Sequence, residues 1–245
     1  MRLIDHFTGS GDTLFRWRGQ LPLIMLPLLV LGLFDARLPA SVPPGLRAWQ
    51  VVSFLVALSG LALRVVAIGT APAGTSERST TNPRASRLRT TGVYSLVRHP
   101  LYLGNSLTAV GLACFTTTWY VPIIVGLASL LYHERIAARE EAFLEDRFGD
   151  QFRAWAVRVR AAIPRLSTYV PSDTPFIWRR VLGREFHGLL VIGAVLFVLD
   201  LARAAFATGR LVFDPLWTTV FGVTATVFMV CSLLKKHTAV LRVDD

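Results

Sequence analysis

RHPLYLGNSLTAVGLACFTTTWYVPIIVGLASLLYHERIAAREEAFLEDRFG, residues 98–149, decides how the chain is organised. Two apolar runs, Leu101 to Phe115 and Trp119 to Tyr132, are separated only by Thr116, Thr117 and Thr118, a spacing that predicts a tight helical hairpin. A hairpin returns the chain to the side it left, so the Arg98-His99-Pro100 corner and the paired acids Glu140 and Glu141 are expected on one membrane face. Pro100 suits a helix start, because the donor it lacks would have no partner in the first turn. From His133 to Gly149, Ile136, Phe143, Leu144 and Phe148 approximate an apolar stripe. That pattern predicts an amphipathic helix, either continuing the second run or lying along the membrane surface.

Outward from this stretch the chain stays apolar. At 53% hydrophobic and 17% charged, the 245 residues describe a protein whose solvent is largely lipid, and a water-soluble globule is excluded. A helix crossing the hydrocarbon needs roughly 20 apolar residues. Six runs approach this: Leu21–Phe34, Trp49–Ile68, Leu101–Phe115, Trp119–Tyr132, His187–Ala207 and Leu211–Leu234. Backbone groups in lipid must be paired within the segment, so the runs are expected to be helical. The fold class expected is all-α: a polytopic bundle of about six transmembrane helices with a cytosolic amphipathic helix. Pro22 and Pro27 are expected to kink the first run, which reads as an uncleaved anchor.

With both termini cytosolic, 21 of the 26 lysines and arginines fall on the inner side, four near the outer side and Arg64 within a span. This asymmetry favours that orientation. The formal charge of +10 therefore speaks to topology and to anionic headgroups, and not to nucleic acid. Arg64 is expected to snorkel from the inner end of its span, and Asp200, Arg203 and Asp214 to be solvated helix ends near the outer surface. Cys114 and Cys231 lie in separate apolar runs without a C-x-x-C and read as small hydrophobes. His133-Glu134 opens a His-Glu-x-x-His pattern, but position 137 is Ala, so no metal site is expected. The lack of a cleavable leader and of paired cysteines fits a bacterial-type inner membrane.

The candidate chemistry lies at the cytosolic face. Tyr94, His99 and Tyr102 cluster near Gly104, and Glu140 and Glu141 return one hairpin later. Basic residues at a membrane boundary can equally anchor headgroups, and paired acids can simply solvate a helix. Aromatics, an imidazole, carboxylates and an arginine also suit a ligand with an adenine ring, ribose hydroxyls and a charged amino-acid tail. No Gly-x-Gly-x-x-Gly or Gly-Lys-Ser/Thr loop offers a phosphate cradle. S-adenosylmethionine fits this set better than a nucleoside triphosphate.

Gly92-Val93-Tyr94, RHPLYLGN from Arg98, and EEAFLEDRFGDQF from Glu140 on to Ile163-Pro164 resemble the isoprenylcysteine carboxyl methyltransferase and phospholipid methyltransferase superfamily of membrane enzymes. The resemblance covers residues 86–166. It implies S-adenosylmethionine bound at the cytosolic face, with contacts from Ser86, Arg87, Leu88 and Arg89, from Tyr94, from His99, Pro100, Leu101 and Tyr102, and from Glu140. Arg98 and Arg135 are the expected catalytic pair, orienting an anionic, lipid-like or apolar acceptor. Residues 1–170 would form the methyltransferase-like core and 171–245 an additional C-terminal helix pair. Phe152 and Trp155 stand where the family commonly has tyrosine, and Ile136 stands where it has a substrate-positioning arginine. Two rivals remain open: a membrane enone or sterol reductase using NADPH, which shares an Arg-His-Pro-x-Tyr-x-Gly segment, and a non-catalytic membrane scaffold.

Overall fold

A computed structural model describes residues 24–39, 41–71, 87–238 and 240–241. Among these residues there are seven α-helices and no strand, apart from an isolated antiparallel bridge between Gly92 and Val170. The helices are α1 (Leu26–Ala36), α2 (Pro44–Gly69), α3 (Pro100–Cys114), α4 (Tyr120–Phe148), α5 (Asp150–Arg158), α6 (Trp178–Thr208) and α7 (Pro215–His237). Proline occupies the first turn of α1, α2, α3 and α7, where its missing N–H leaves no bond unmade.

Four helices, α2, α4, α6 and α7, are long and apolar enough to cross a membrane. The other two expected spans are shorter: α3 has 15 residues and α1, as described, has 11. At 1.5 Å per residue α3 is about 22 Å long, less than a hydrocarbon core of about 30 Å. Pro27 starts α1 instead of kinking it, because it falls in the first turn. Pro22 lies outside the described residues.

The hairpin forms as expected, and α4 runs unbroken through both the apolar run and the amphipathic stretch. Its turn leaves few polar groups unpaired. Thr116 Oγ1 donates to Ala113 O at 2.8 Å, Thr118 Oγ1 to Gly32 O at 2.6 Å, and the Trp49 indole to Cys114 O at 2.7 Å. Ile123, Ile124, Leu127, Leu130 and Leu131 remain exposed along α4, the face a bilayer would cover.

Small residues bring α2 and α3 backbone to backbone. A Cβ at Gly60 would stand 2.4 Å from Gly104 O, and one at Gly111 would stand 2.4 Å from Ala57 N. Between them Thr108 Oγ1 donates to Ala57 O at 3.1 Å. In lipid, where apolar surface gains little by leaving one apolar medium for another, such close packing and interhelical hydrogen bonds hold helices together. Leu33, Leu61, Phe115, Val121, Leu196 and Trp217 close the central core between α1, α2, α6 and α7.

The charged residues expected as solvated ends are instead paired within the protein, two of them buried. Asp200 and Arg203 are almost fully buried, with Arg203 Nε donating to Asp200 at 2.8 Å and NH1 donating to Pro39 O at 3.0 Å. Asp214 caps α7 by accepting from Leu216 N and Trp217 N, and it pairs with Arg47. Nor does Arg64 merely snorkel. Its Nε and NH2 grip Glu185 at 2.8 and 2.6 Å, and NH1 donates to Asn105 at 2.6 Å. Helix α6 begins nine residues before the apolar run that foretold it, because Glu185 has this partner and Arg180 donates to Ala71 O. Cys231 is buried beside Phe186 and Leu241, and Cys114 is half-buried; neither forms a disulfide.

Candidate active site

Pro100 sets the start of α3 and leaves His99 as its N-cap, so His99 and Tyr102 project from the end of α3 that faces α4. About two turns beyond its apolar half, α4 presents Glu140 and Glu141 to them. Tyr102 Oη donates to Glu140 Oε1 at 2.5 Å, and His99 Nε2 lies 2.7 Å from Glu141 Oε1. Arg98 Nε stands 3.2 Å from the same Glu141 oxygen. Glu140 thus accepts from the phenol and Glu141 meets the imidazole and guanidinium, while His99 Nδ1 also stands 3.9 Å from Glu140 Oε2.

The aromatic rings reinforce this meeting. Tyr102 stacks with His99, centroids 5.5 Å apart, and with His133, centroids 5.0 Å apart. His133 Nδ1 lies 3.0 Å from Ser106 Oγ, one turn along α3 from Tyr102. His133 was read only as a failed metal motif, yet it stands seven residues before Glu140. Two helical turns put both on one face, and that spacing was the signal.

A second group of expected residues lines a groove beside this cluster. Arg87, Leu88, Arg89 and Tyr94 face it together with Thr91 and Asp173. Arg89 donates to Tyr94 Oη at 3.1 Å, and its guanidinium lies 5.3 Å from that ring's centre. Thr91 Oγ1 donates to Asp173 Oδ1 at 2.8 Å, and Arg87 pairs with Oδ2. The Thr91 hydrogen bond, opposed by partial burial and aided by Arg87, holds the Asp173 carboxyl below its ordinary pKa of 3.8.

Helix α5 joins the two groups. Phe152, Trp155 and Val159 form a buried cluster that takes in Leu88 and Tyr94 from the groove and Leu144 and Phe148 from α4. Leu144 is one turn past Glu140, so groove and acid pair rest on common packing. The Trp155 indole donates to Tyr94 O at 3.2 Å, a bond a tyrosine there would make differently. Farther along, Arg98 N donates to Arg160 O and Arg165 N to Leu96 O, tying the following strap to the corner.

Of the remaining expected residues, Pro100 is buried at the helix start and Leu101 half-buried beside it. Ser86 lies outside the described residues. Arg135 donates to Leu131 O at 3.0 Å within its own helix. Ile136, where the resemblance expects an arginine, is completely buried.

Residues 49–151 match the phospholipid methyltransferase family model, a span holding most of α2, all of α3 and α4, and the site apart from Asp173. Three curated proteins are similar over a shorter stretch. The cobalt-zinc-cadmium resistance protein CzcN of Cupriavidus metallidurans is 40% identical over 87 residues, 36% of this chain. The nickel-cobalt-cadmium resistance protein NccN of Alcaligenes xylosoxydans xylosoxydans is 35% identical over 91 residues, 37% of this chain. The protein-S-isoprenylcysteine O-methyltransferase of Schizosaccharomyces pombe is 30% identical over 77 residues, 31% of this chain. Residues 49–151 are thus similar to integral membrane methyltransferases. The chain spans 40%, 42% and 33% of these relatives' own lengths, in the same order. No solved structure matches it. The acid pair and the His99 corner fall inside the matched segment, whereas Asp173 and Glu185 lie beyond it.

Proposed function

We propose that the protein is an S-adenosylmethionine-dependent methyltransferase acting at the cytosolic membrane face on a lipid-like or apolar acceptor. The observation that carries this reading is the joining of the His99 corner to the paired acids, through Tyr102 to Glu140 at 2.5 Å and His99 to Glu141 at 2.7 Å. It brings hydroxyl-binding carboxylates, stacked rings and a cation to one end of the bundle.

The residues fit the cofactor on a structural ground as well as a compositional one. Among the described residues Arg98 Nε is buried without a hydrogen-bond partner, its neighbour Glu141 standing at ion-pair distance. A buried donor without an acceptor is costly, and an anionic group of a ligand would satisfy it. Glu140 would accept from ribose hydroxyls, Tyr94 and the stacked Tyr102 would pack the base, and the groove from Arg87 to Tyr94 would hold the tail. The sulfonium supplies an already activated methyl group, so the protein's task is to place the acceptor in line and keep water out. Arg98 would orient an anionic acceptor; Arg135, on the lipid-facing helix α4, would meet it on entry.

Isothermal titration calorimetry of the purified chain in detergent tests this reading. Wild type should bind S-adenosylmethionine, and Glu140→Ala should lose at least about tenfold in affinity, the worth of a hydrogen bond to a charged group. Binding of NADPH in place of S-adenosylmethionine would favour the reductase. Transfer of a labelled methyl group into a membrane extract would identify the acceptor class. The resistance proteins among the relatives make strains challenged with divalent metals a sensible source of such extracts.

A further inference from the structure

Asp173 stands 22 residues beyond the segment that carries the family match, on the strap leading into α6, yet it forms a wall of the groove opposite Arg87 and Arg89. The strap is fixed at several points. Gly92 N donates to Val170 O at 2.9 Å, Val170 N to Ser95 Oγ at 2.9 Å, and Ile177 N to Gly69 O at 2.8 Å. Phe176 lies against Gly69, where a Cβ would meet its ring at 2.3 Å. The Asp173 carboxylate is thereby held at a set position and not on a free loop.

Its two oxygens are used differently. Oδ1 accepts from Thr91 at 2.8 Å and Thr174 at 3.2 Å, while among the described residues Oδ2 takes only Arg87, a residue nearly two-thirds exposed. An exposed ion pair of this kind contributes little to stability, so exchanging Arg87 for another cation costs little. A groove with an exchangeable carboxylate oxygen on one wall and two guanidiniums on the other complements a small zwitterion, its ammonium toward Asp173 and its anion toward arginine.

We infer that Asp173 is a binding residue, contributed by the segment outside the family core, that receives the ammonium of an α-amino-acid group. This deepens the cofactor reading above and rests on it, because the amino-acid end of an S-adenosyl ligand has that chemistry. A zwitterionic phospholipid headgroup is a second source of an ammonium beside an anion, and the test separates the two.

The experiment is calorimetric titration of the full chain in detergent with S-adenosylhomocysteine, with 5′-methylthioadenosine, which lacks the amino-acid end, and with glycerophosphoethanolamine. Asp173→Ala should weaken S-adenosylhomocysteine about tenfold and leave methylthioadenosine within twofold of wild type. Asp173→Asn, which can keep the Thr91 bond but not the charge, should show the same selectivity and so separates charge from strap position. Equal losses for both adenosyl ligands, or no loss for either, would overturn the inference while leaving the cofactor reading standing. Loss of glycerophosphoethanolamine binding alone would also overturn it, assigning the groove to a headgroup. Failure of wild type to bind S-adenosylhomocysteine at all would overturn both.

Discussion

Glu185 has no precedent in the apolar pattern, yet it is 6% exposed and holds Arg64 through two hydrogen bonds. Removing one partner of a fully buried pair costs about 3–5 kcal/mol, because the other charge is stranded. Arg64 keeps a quarter of its side-chain surface, so Glu185→Ala should cost less, about 2–3 kcal/mol, seen as lowered thermal stability in detergent. Replacing both residues by leucine should recover most of that loss. Asp214 offers a pH readout. Burial raises its pKa, but Arg47 and the α7 amides lower it further, leaving it net below 3.8. A depressed carboxylate contributes stability that is present above the unfolded value and lost as pH falls through the folded one. Wild-type unfolding temperature should therefore drop below about pH 4 more steeply than that of Asp214→Asn, which keeps an N-cap side chain. Neither pair was legible in sequence. Arg64 and Glu185 are 121 positions apart, and a lone charge near a helix end looks the same whether it meets water or a distant partner. Glu140, Tyr102 and His99 were legible, because a three-residue turn between two apolar runs fixes which ends must meet.

At the level of elements, the α2–α3 seam sets where Tyr102 stands. Gly60→Ala would drive a Cβ against Gly104 O and Thr108 N, both backbone atoms, and the helices would have to part. Overpacking of this kind costs about 1–3 kcal/mol. The variant should lose thermal stability and weaken S-adenosylmethionine binding together, since α3 carries Tyr102 and His99. Gly45→Ala, where a Cβ meets nothing within 4 Å, is the control and should be neutral or mildly stabilising. Helix limits were read well where polarity changed abruptly, as at Pro100 and the three threonines. They were read poorly where paired charges extend a helix past its apolar part, as in α6, because hydropathy registers the charge and not its partner.

Across the whole molecule, the acid pair, the groove, the start of α6 and the end of α7 gather at one end, linked by Ile177 to Gly69 and by Lys235 to Gly183 O. The opposite end holds the threonine turn and the Arg47–Asp214 and Asp200–Arg203 pairs. If the first end is cytosolic, as the charge asymmetry favours, a membrane-impermeant thiol reagent should label Arg210→Cys in intact cells. Asp150→Cys should react only after permeabilisation, with Cys114 and Cys231 replaced in both; both positions are exposed. The reverse pattern would place the acids outside. The all-helical bundle was legible as a whole because lipid permits few alternatives, whereas the contribution of the last 75 residues to the groove was not, since Asp173 reaches it only through folding.

Helix α4 also acts as a depth gauge. Twenty residues separate Tyr120 from Glu140, about 30 Å of uninterrupted helix, which equals the thickness of the oily layer it crosses. The height of the carboxylates above the acyl chains is thus geared to that thickness. Lipids with longer or shorter tails would sink or raise the acid pair relative to the headgroups around it.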